Sequence, residues 1–203
     1  MNTKPAYIAI VGGIAVGKTS IINALKDSFE NSVLIEEDVD KNIFLKDFYS
    51  DMKKWAFHSR ISTLSMISNN YLQVPVDPSP KIVLLDRCID ELITFAQLHY
   101  DRGNMSDKEF QVYKELYNSI LHFAPQIDLF VYVSCKADTS IERIRQRNRQ
   151  FEQNISLEYI TTLNTYYSNW LGTIDSKRVY NVCTDDGINI DKIVRDIGQR
   201  LSL

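Results

Sequence analysis

IVGGIAVGKTS, residues 10–20, joins the end of an apolar run to a glycine-rich loop closed by Gly-Lys-Thr. From Gly12 through Gly13, Ile14, Ala15, Val16, Gly17 and Lys18 to Thr19 it follows the pattern G-x-x-x-x-G-K-[ST]. The run before it, AYIAIV, reads as a buried strand, and Ile21, Ile22, Leu25 and Phe29 after it recur at helical spacing. That context gives the pattern its chemistry. Glycines let the backbone curl until successive N–H groups face phosphate oxygens at a helix N-terminus. Lys18 then reaches the outer phosphates and the Thr19 hydroxyl ligates Mg²⁺. A chance match in a chain of this length has odds of roughly one in a hundred or less at average residue usage.

Working outward, the same alternation continues. SVLIEE, KIVLLD, IDLFVYVSC and RVYNVCT read as four more strands, the second of them preceded by the loop of Pro75, Pro78 and Pro80. Residues 44–72 read as mostly helical, Gly103 as a helix stop and Ser106 as an N-cap. Phe110, Tyr113, Tyr117, Ile120 and Leu121 line one helix face, and Ile190, Ile193, Val194, Ile197 and Leu201 line another. Apolar strands alternating with helices predict a parallel sheet covered on both faces. The expected architecture is therefore α/β: a P-loop NTPase-type three-layer fold whose five-stranded parallel sheet carries helices on both faces. At 203 residues it is expected to be one domain, 1–203, with an Arg-rich lid at about 143–155.

A net charge of −3 argues against nucleic acid as a partner. No apolar run reaches the ~20 residues of a membrane span. The short polar lead before the first strand leaves no room for a signal or transit peptide. Cys88, Cys135 and Cys183 are scattered and odd in number, which reads as buried free thiols in a reducing compartment. The expected location is cytoplasmic, with neither membrane nor nucleic acid as partner.

The loop alone does not choose among kinases, GTPases and ATPases. A GTPase shows D-x-x-G after its third strand and N-K-x-D before a late helix; this chain has DRCI in the first place and nothing like the second. In an open parallel sheet ligands gather outside the carboxyl ends of the strands. Those ends carry EED (Glu36–Asp38), Asp86–Arg87 and the basic run ERIRQRNRQFEQN. Phosphoryl transfer needs an in-line acceptor, neutralised charge and a proton sink. A carboxylate near an acceptor hydroxyl can take its proton, Asp86 is placed to hold Mg²⁺, and Arg87 can bridge acceptor and phosphates. Glu36 and Glu37 point to opposite faces of their strand, so one of them enters the cleft. Arg143 and Arg147 fall at i, i+4 on one helix face with Arg149 just beyond, suited to closing over the transferring group. Glu152 stands out in that basic run: an inward carboxylate suits contact with a sugar hydroxyl.

With these motifs the chain resembles the deoxyribonucleoside kinases, the group that includes the insect multisubstrate, deoxycytidine, deoxyguanosine and mitochondrial thymidine kinases. The resemblance covers most of the chain. It runs through the phosphate loop, the carboxylate after the second strand, YSDMKKWA (49–56), DRC, FAQLHYDRGNMSD (95–107) and RIRQRNRQFEQNISLEYI (143–160). It implies Glu37 as general base, with Arg87 holding that base and the 5′-hydroxyl. Tyr49 and Glu152 fall on the pair that grips the sugar 3′-hydroxyl, and Phe95 on the ring that stacks on the nucleobase. Arg143, Arg147 and Arg149 become the lid arginines. CTDDG, with Asp185, resembles the segment that passes the adenine of ATP. It further implies ATP as phosphoryl donor, Mg²⁺ as cofactor, a deoxyribonucleoside as acceptor and a homodimer.

Departures gather in the base pocket. Asn42 replaces an aromatic residue. WAFHSRISTLSM is one residue short, so the base-reading position falls on Ser59 or His58, while Met66 keeps its place. DRCIDELITF is also one short, which puts Asp90 or Glu91 near the pocket. Trp170 and Tyr166–Tyr167 sit at core or dimer-face spacing, and His99 and His122 have no acid or metal partner in view. The alternative reading is a nucleoside monophosphate kinase of the thymidylate kinase type, which shares the loop and the Asp-Arg pair. Its acceptor arrives charged, so arginine rather than Glu37 suits that position. A silent nucleotide-binding module is the remaining alternative, and the presence of a proton acceptor, metal ligand and lid arginines argues against it.

Overall fold

A computed structural model describes residues 4–37, 41–74 and 80–201. Asp38 of the acidic cluster and Pro75 and Pro78 of the proline loop lie outside the described residues.

The sheet is built from β1 (Ala6–Val11), β2 (Ser32–Ile35), β3 (Ile82–Asp86), β4 (Leu129–Ser134) and β5 (Val179–Cys183). All pairings are parallel and the order is β2-β3-β1-β4-β5. The chain moves from β1 to one side of the sheet for β2 and β3, then crosses back to add β4 and β5 on the other. The carboxyl end of β1 is thus the switch point where an open sheet forms its ligand crevice, and the glycine-rich loop leaves from that point.

Alternation along the strands divides the core in two. Ile8, Ile10, Leu84 and Val131 face Ile21, Ile22 and Leu25 of α1 (Lys18–Ser28), with Ile193 and Ile197 of α8 (Ile190–Leu201). Ala9, Val11, Val83, Leu85 and Phe130 form the opposite face, against which Trp170 of α7 (Leu157–Leu171) packs. Burial on both faces explains why these strands read as unbroken apolar runs.

The acceptor side of the crevice is helical. α2 (Leu45–Ser50) and α3 (Met52–Tyr71) pack with α4 (Leu92–Asp101) and α5 (Asp107–Phe123) around Phe48, Leu64, Ile67, Ala96 and Tyr113. α5 starts where expected: Ser106 accepts from the Glu109 N–H while the Glu109 carboxylate accepts from the Ser106 N–H, a full capping box. The lid grows from α6 (Ala137–Arg147), which ends at Asn148 in a left-handed conformation, φ 53°. That cap reverses the chain into a single 3-10 turn, Gln150–Glu152, before Ser156 caps α7. Two of the three thiols are buried as expected; Cys183, at the end of β5, is exposed.

Two loop glycines are required by geometry. Gly12 has φ 143°, and a Cβ there would stand 2.2 Å from the carbonyl oxygen of Val133 on β4. Gly17, φ 98°, turns the chain into α1. Gly12→Ala is therefore expected to lower stability by at least about 1–3 kcal/mol in urea denaturation and to abolish ATP binding by calorimetry; a variant with wild-type stability and affinity would contradict this reading of the loop.

Candidate active site

The site lies between the phosphate loop, the ends of β2 and β3, helices α2 to α4, and the lid. At its donor end the Lys18 ammonium donates to the Gly12 and Gly13 carbonyls at 3.1 and 2.7 Å. Burial, helped by the nearby Arg87 cation, lowers the Lys18 pKa to about 8, against the pull of Asp86, Glu91 and Glu37. Arg143 is pinned at the same end, donating to the Thr184 hydroxyl and carbonyl at 2.8 and 2.9 Å, and the Thr184 hydroxyl donates to the Val16 carbonyl at 2.9 Å.

Arg87 connects the two ends. It follows β3 in a left-handed conformation, φ 67°, rare for a side chain of this size, and its N–H is held by the Ile10 carbonyl. Its guanidinium donates through Nε to Glu37 at 2.7 Å, and through Nη1 to the Gly12 carbonyl at 3.4 Å and the Tyr167 hydroxyl at 3.3 Å. Glu37 is the carboxylate that enters the crevice; Glu36 is exposed. Glu91 is fully buried beneath this junction. Its Oε2 accepts from the Gly12 N–H at 3.3 Å and the Tyr167 O–H at 2.5 Å, and its Oε1 lies 3.5 Å from Arg87 Nη1. Burial raises the Glu91 pKa, while Arg87 and Lys18 oppose the rise.

Asp86 and Thr19 face the phosphate position. The Asp86 Oδ1 atom is buried without a hydrogen-bond partner, and burial raises the Asp86 pKa, with Lys18 opposing and Glu37 adding to the rise. Among the described residues no group of three or more His, Cys, Asp or Glu side chains is arranged to hold a metal ion alone. One carboxylate and one hydroxyl nevertheless fit Mg²⁺, which takes few protein oxygens and completes its shell with phosphate and water.

At the acceptor end Tyr49 and Glu152 both reach the crevice. Glu152 is only 3% exposed and is held by Arg147 and, at 3.6 Å, by Arg149. Arg147 and Arg149 thus both contact the carboxylate of their own segment. Phe95 and Met66 line the crevice as expected.

Three expectations need correction. His58 is exposed on the outer face of α3, among Phe44, Trp55 and Phe57. Ser59 is fully buried and spent on Asn42 and Arg60. Arg60 and Thr63, one helical step round from them, line the crevice instead. Asp185 does not face the crevice: its carboxylate accepts the Lys136 N–H at 3.0 Å and the Thr139 O–H at 2.7 Å, anchoring the start of α6. Glu91, placed near the base pocket by sequence, lies under the phosphate loop.

Tyr167, at core or dimer-face spacing in the sequence, is 0% exposed, and its hydroxyl touches both Arg87 and Glu91. His99 is hydrogen-bonded to the Tyr159 hydroxyl at 3.1 Å and to Asn104 at 3.2 Å. Counting back from Met66 in threes, to Thr63 and Arg60, is the signal that finds the α3 face; no local signal finds Tyr167.

Similarity to known proteins agrees with this geometry. The family model described as deoxynucleoside kinase matches residues 8–199. Deoxyadenosine kinase of Dictyostelium discoideum is 33% identical over 173 residues, spanning 85% of this chain and 69% of that protein. Deoxyadenosine/deoxycytidine kinase of Bacillus subtilis (strain 168) is 27% identical over 186 residues, 90% and 84% of the two chains. Among solved structures, deoxyadenosine kinase from M. mycoides with dCMP and dCDP bound superposes with TM-score 0.80 at 25% identity, over 97% of this chain and 98% of that one.

Two outcomes follow from the buried charges. Lys18 is held charged at a cost without phosphate, so Lys18→Met is expected to raise ligand-free stability at pH 7 by about 1–3 kcal/mol. The gain persists below the folded pKa of about 8 and fades as pH climbs toward the unfolded value near 10.5; denaturant titrations from pH 7 to 10.5 measure it, and an unchanged or lower stability at pH 7 would count against it. Glu91→Gln, which cannot accept from both donors and neutralise Arg87, is expected to lower kcat by about 10- to 100-fold with the fold intact by circular dichroism; an unchanged kcat would show that the junction needs no anion.

Proposed function

This chain belongs to the deoxynucleoside kinase family, and from that premise we propose that it transfers the γ-phosphoryl group of ATP to the 5′-hydroxyl of a deoxyribonucleoside. The observation that carries the reading is the Glu37–Arg87 pair, 2.7 Å apart, in the crevice beside the phosphate loop. A carboxylate at this place repels an acceptor that already bears a phosphate, and it serves one that brings a hydroxyl proton. The thymidylate kinase type of reaction loses on that ground.

The residues divide the work. The 5′-oxygen attacks the γ-phosphorus and its proton passes to Glu37 as the bond to the β-phosphate oxygen breaks. Arg87 orients both base and acceptor through its contact with Glu37. Lys18 and the loop N–H groups hold the β- and γ-phosphates, while Arg143, Arg147 and Arg149 take up charge on the transferring group. Mg²⁺ supplies charge neutralisation when bound, and Thr19 and Asp86 would hold it. Tyr49 and Glu152 grip the 3′-hydroxyl, and Phe95 offers its ring to the base.

The exposed apolar positions Val112, Leu116 and Phe123 on α5 support a homodimer. No helix among the described residues is long and apolar enough to cross a membrane, and the free buried thiols Cys88 and Cys135 support a reducing, cytoplasmic setting.

Glu37→Gln keeps the shape and removes the proton acceptor. It is expected to lower kcat by about 10²–10⁴-fold in a steady-state ATP assay, with nucleoside affinity by calorimetry changed far less. Full activity in this variant would remove Glu37 from the mechanism.

A further inference from the structure

Among the described residues no carboxylate neutralises the buried charge of Arg60. It is 7% exposed, lines the crevice from α3, and stands beside Thr63 and Met66 at the acceptor end. Among the described residues no carboxylate lies within ion-pair distance of it. Its guanidinium sits over the rings of Phe48 and Phe95, each 5.2 Å away, and Nη2 donates to the Ser59 hydroxyl at 3.1 Å. Its Nε is buried with no acceptor. The other nearby groups are Tyr49, Tyr113, Tyr159 and His99. All are neutral at physiological pH, since burial raises the phenols and lowers the imidazole. An unpaired buried cation is costly unless something supplies acceptors, and the crevice is where that partner must enter.

The neighbouring polar groups narrow the choice. The Asn42 amide nitrogen is engaged by Ser59 and Thr63, and its carbonyl oxygen by the Phe44 N–H. The Thr63 hydroxyl donates to the Ser59 carbonyl. Among the described residues Arg60 has a donor to spare here, and it has no acceptor to give. A base that suits it presents two adjacent acceptors. Guanine does so through O6 and N7, the pairing that arginine makes bidentately, and cytosine does so through O2 and N3. Adenine sets its N6 amine beside N7, and thymine its N3–H beside O4; each would press a donor against the guanidinium and bury it unsatisfied.

We propose that Arg60 reads the nucleobase, and that it selects deoxynucleosides with paired acceptors, deoxyguanosine or deoxycytidine, over deoxyadenosine and thymidine. This rests on the deoxynucleoside kinase reading of the same site.

The test is kcat/KM of the full chain for the four deoxynucleosides at saturating ATP and Mg²⁺, with wild type, Arg60→Gln and Arg60→Lys. Wild type is expected to favour deoxyguanosine or deoxycytidine about tenfold or more over the other two. If guanine leads, 7-deazadeoxyguanosine, which lacks N7, falls by a similar factor; if deoxycytidine leads, the cytosine edge is the one read. In Arg60→Gln the amide offers an acceptor beside its donors and matches adenine N6 and N7. The ratio of deoxyadenosine to the wild-type favourite should rise about 10- to 100-fold, a gain that misfolding cannot mimic. Arg60→Lys, a point charge without the planar fork, should keep the ranking with reduced discrimination. The proposal is overturned if wild type turns over deoxyadenosine or thymidine best, or if a folded Arg60→Gln enzyme leaves the ranking unchanged. An enzyme that phosphorylates none of the four would instead sink the nucleoside-kinase reading, a result distinct from either.

Discussion

The guanidinium of Arg87 is the constraint on which the rest of the site depends. It leaves β3 in a strained left-handed conformation and touches, through three nitrogen-to-oxygen contacts, the carboxylate of Glu37, the phosphate-loop carbonyl of Gly12 and the hydroxyl of Tyr167. Strain of about 1–3 kcal/mol at such a residue persists only where surrounding contacts over-determine it. Glu37 and Glu91 do so by charge, and they hold the Arg87 pKa well above its already high ordinary value, against desolvation. One cation therefore ties the donor loop to the acceptor base. Glu91 completes the tie from below by accepting the Gly12 N–H. Displacement of either end is felt at the other, which is how groups from β2, β3, the loop and α7 stay in one geometry.

The lid obeys a similar electrostatic logic. Arg147 and Arg149 hold Glu152, so the segment carries its own ion pairs. Arg143 is not part of that arrangement; it is fixed to Thr184 at the foot of the phosphate loop. The same carboxylate is the group we propose meets the sugar. Engagement of a 3′-hydroxyl by Glu152 and of phosphate by the two arginines would thus redistribute contacts that exist already, and charge-assisted hydrogen bonds of this kind are the strong ones.

Much of this was legible in the sequence where the determinants are local. The loop is a contiguous motif, so Gly12 to Thr19 could be placed residue by residue, and the strand ends could be placed because buried parallel strands read as unbroken apolar runs. Glu37 was separable from Glu36 only through the family resemblance, because both residues follow the strand. The base pocket was misread for a geometric reason. On a helix one residue is about 100° of rotation, so a one-residue shortening moved the expected contact from Arg60 to Ser59 and His58, which face the core and the solvent. Tyr167 and Glu91 were missed for another reason: they act across separations of 80 and 79 residues, to Arg87 and Gly12 respectively. Asp185 was assigned by likeness of its segment, while its side chain answers a local need, the unpaired N–H groups at the start of α6.

The central claim is that the carboxylate at position 37 makes this a site for an uncharged hydroxyl acceptor. Transfer of label from [γ-³²P]ATP to the four deoxynucleosides, run beside their 5′-monophosphates, tests it most directly. Labelled 5′-monophosphate is expected from at least one nucleoside, and no labelled diphosphate from any monophosphate. Label passing only to thymidine monophosphate, with every nucleoside inert, would contradict it.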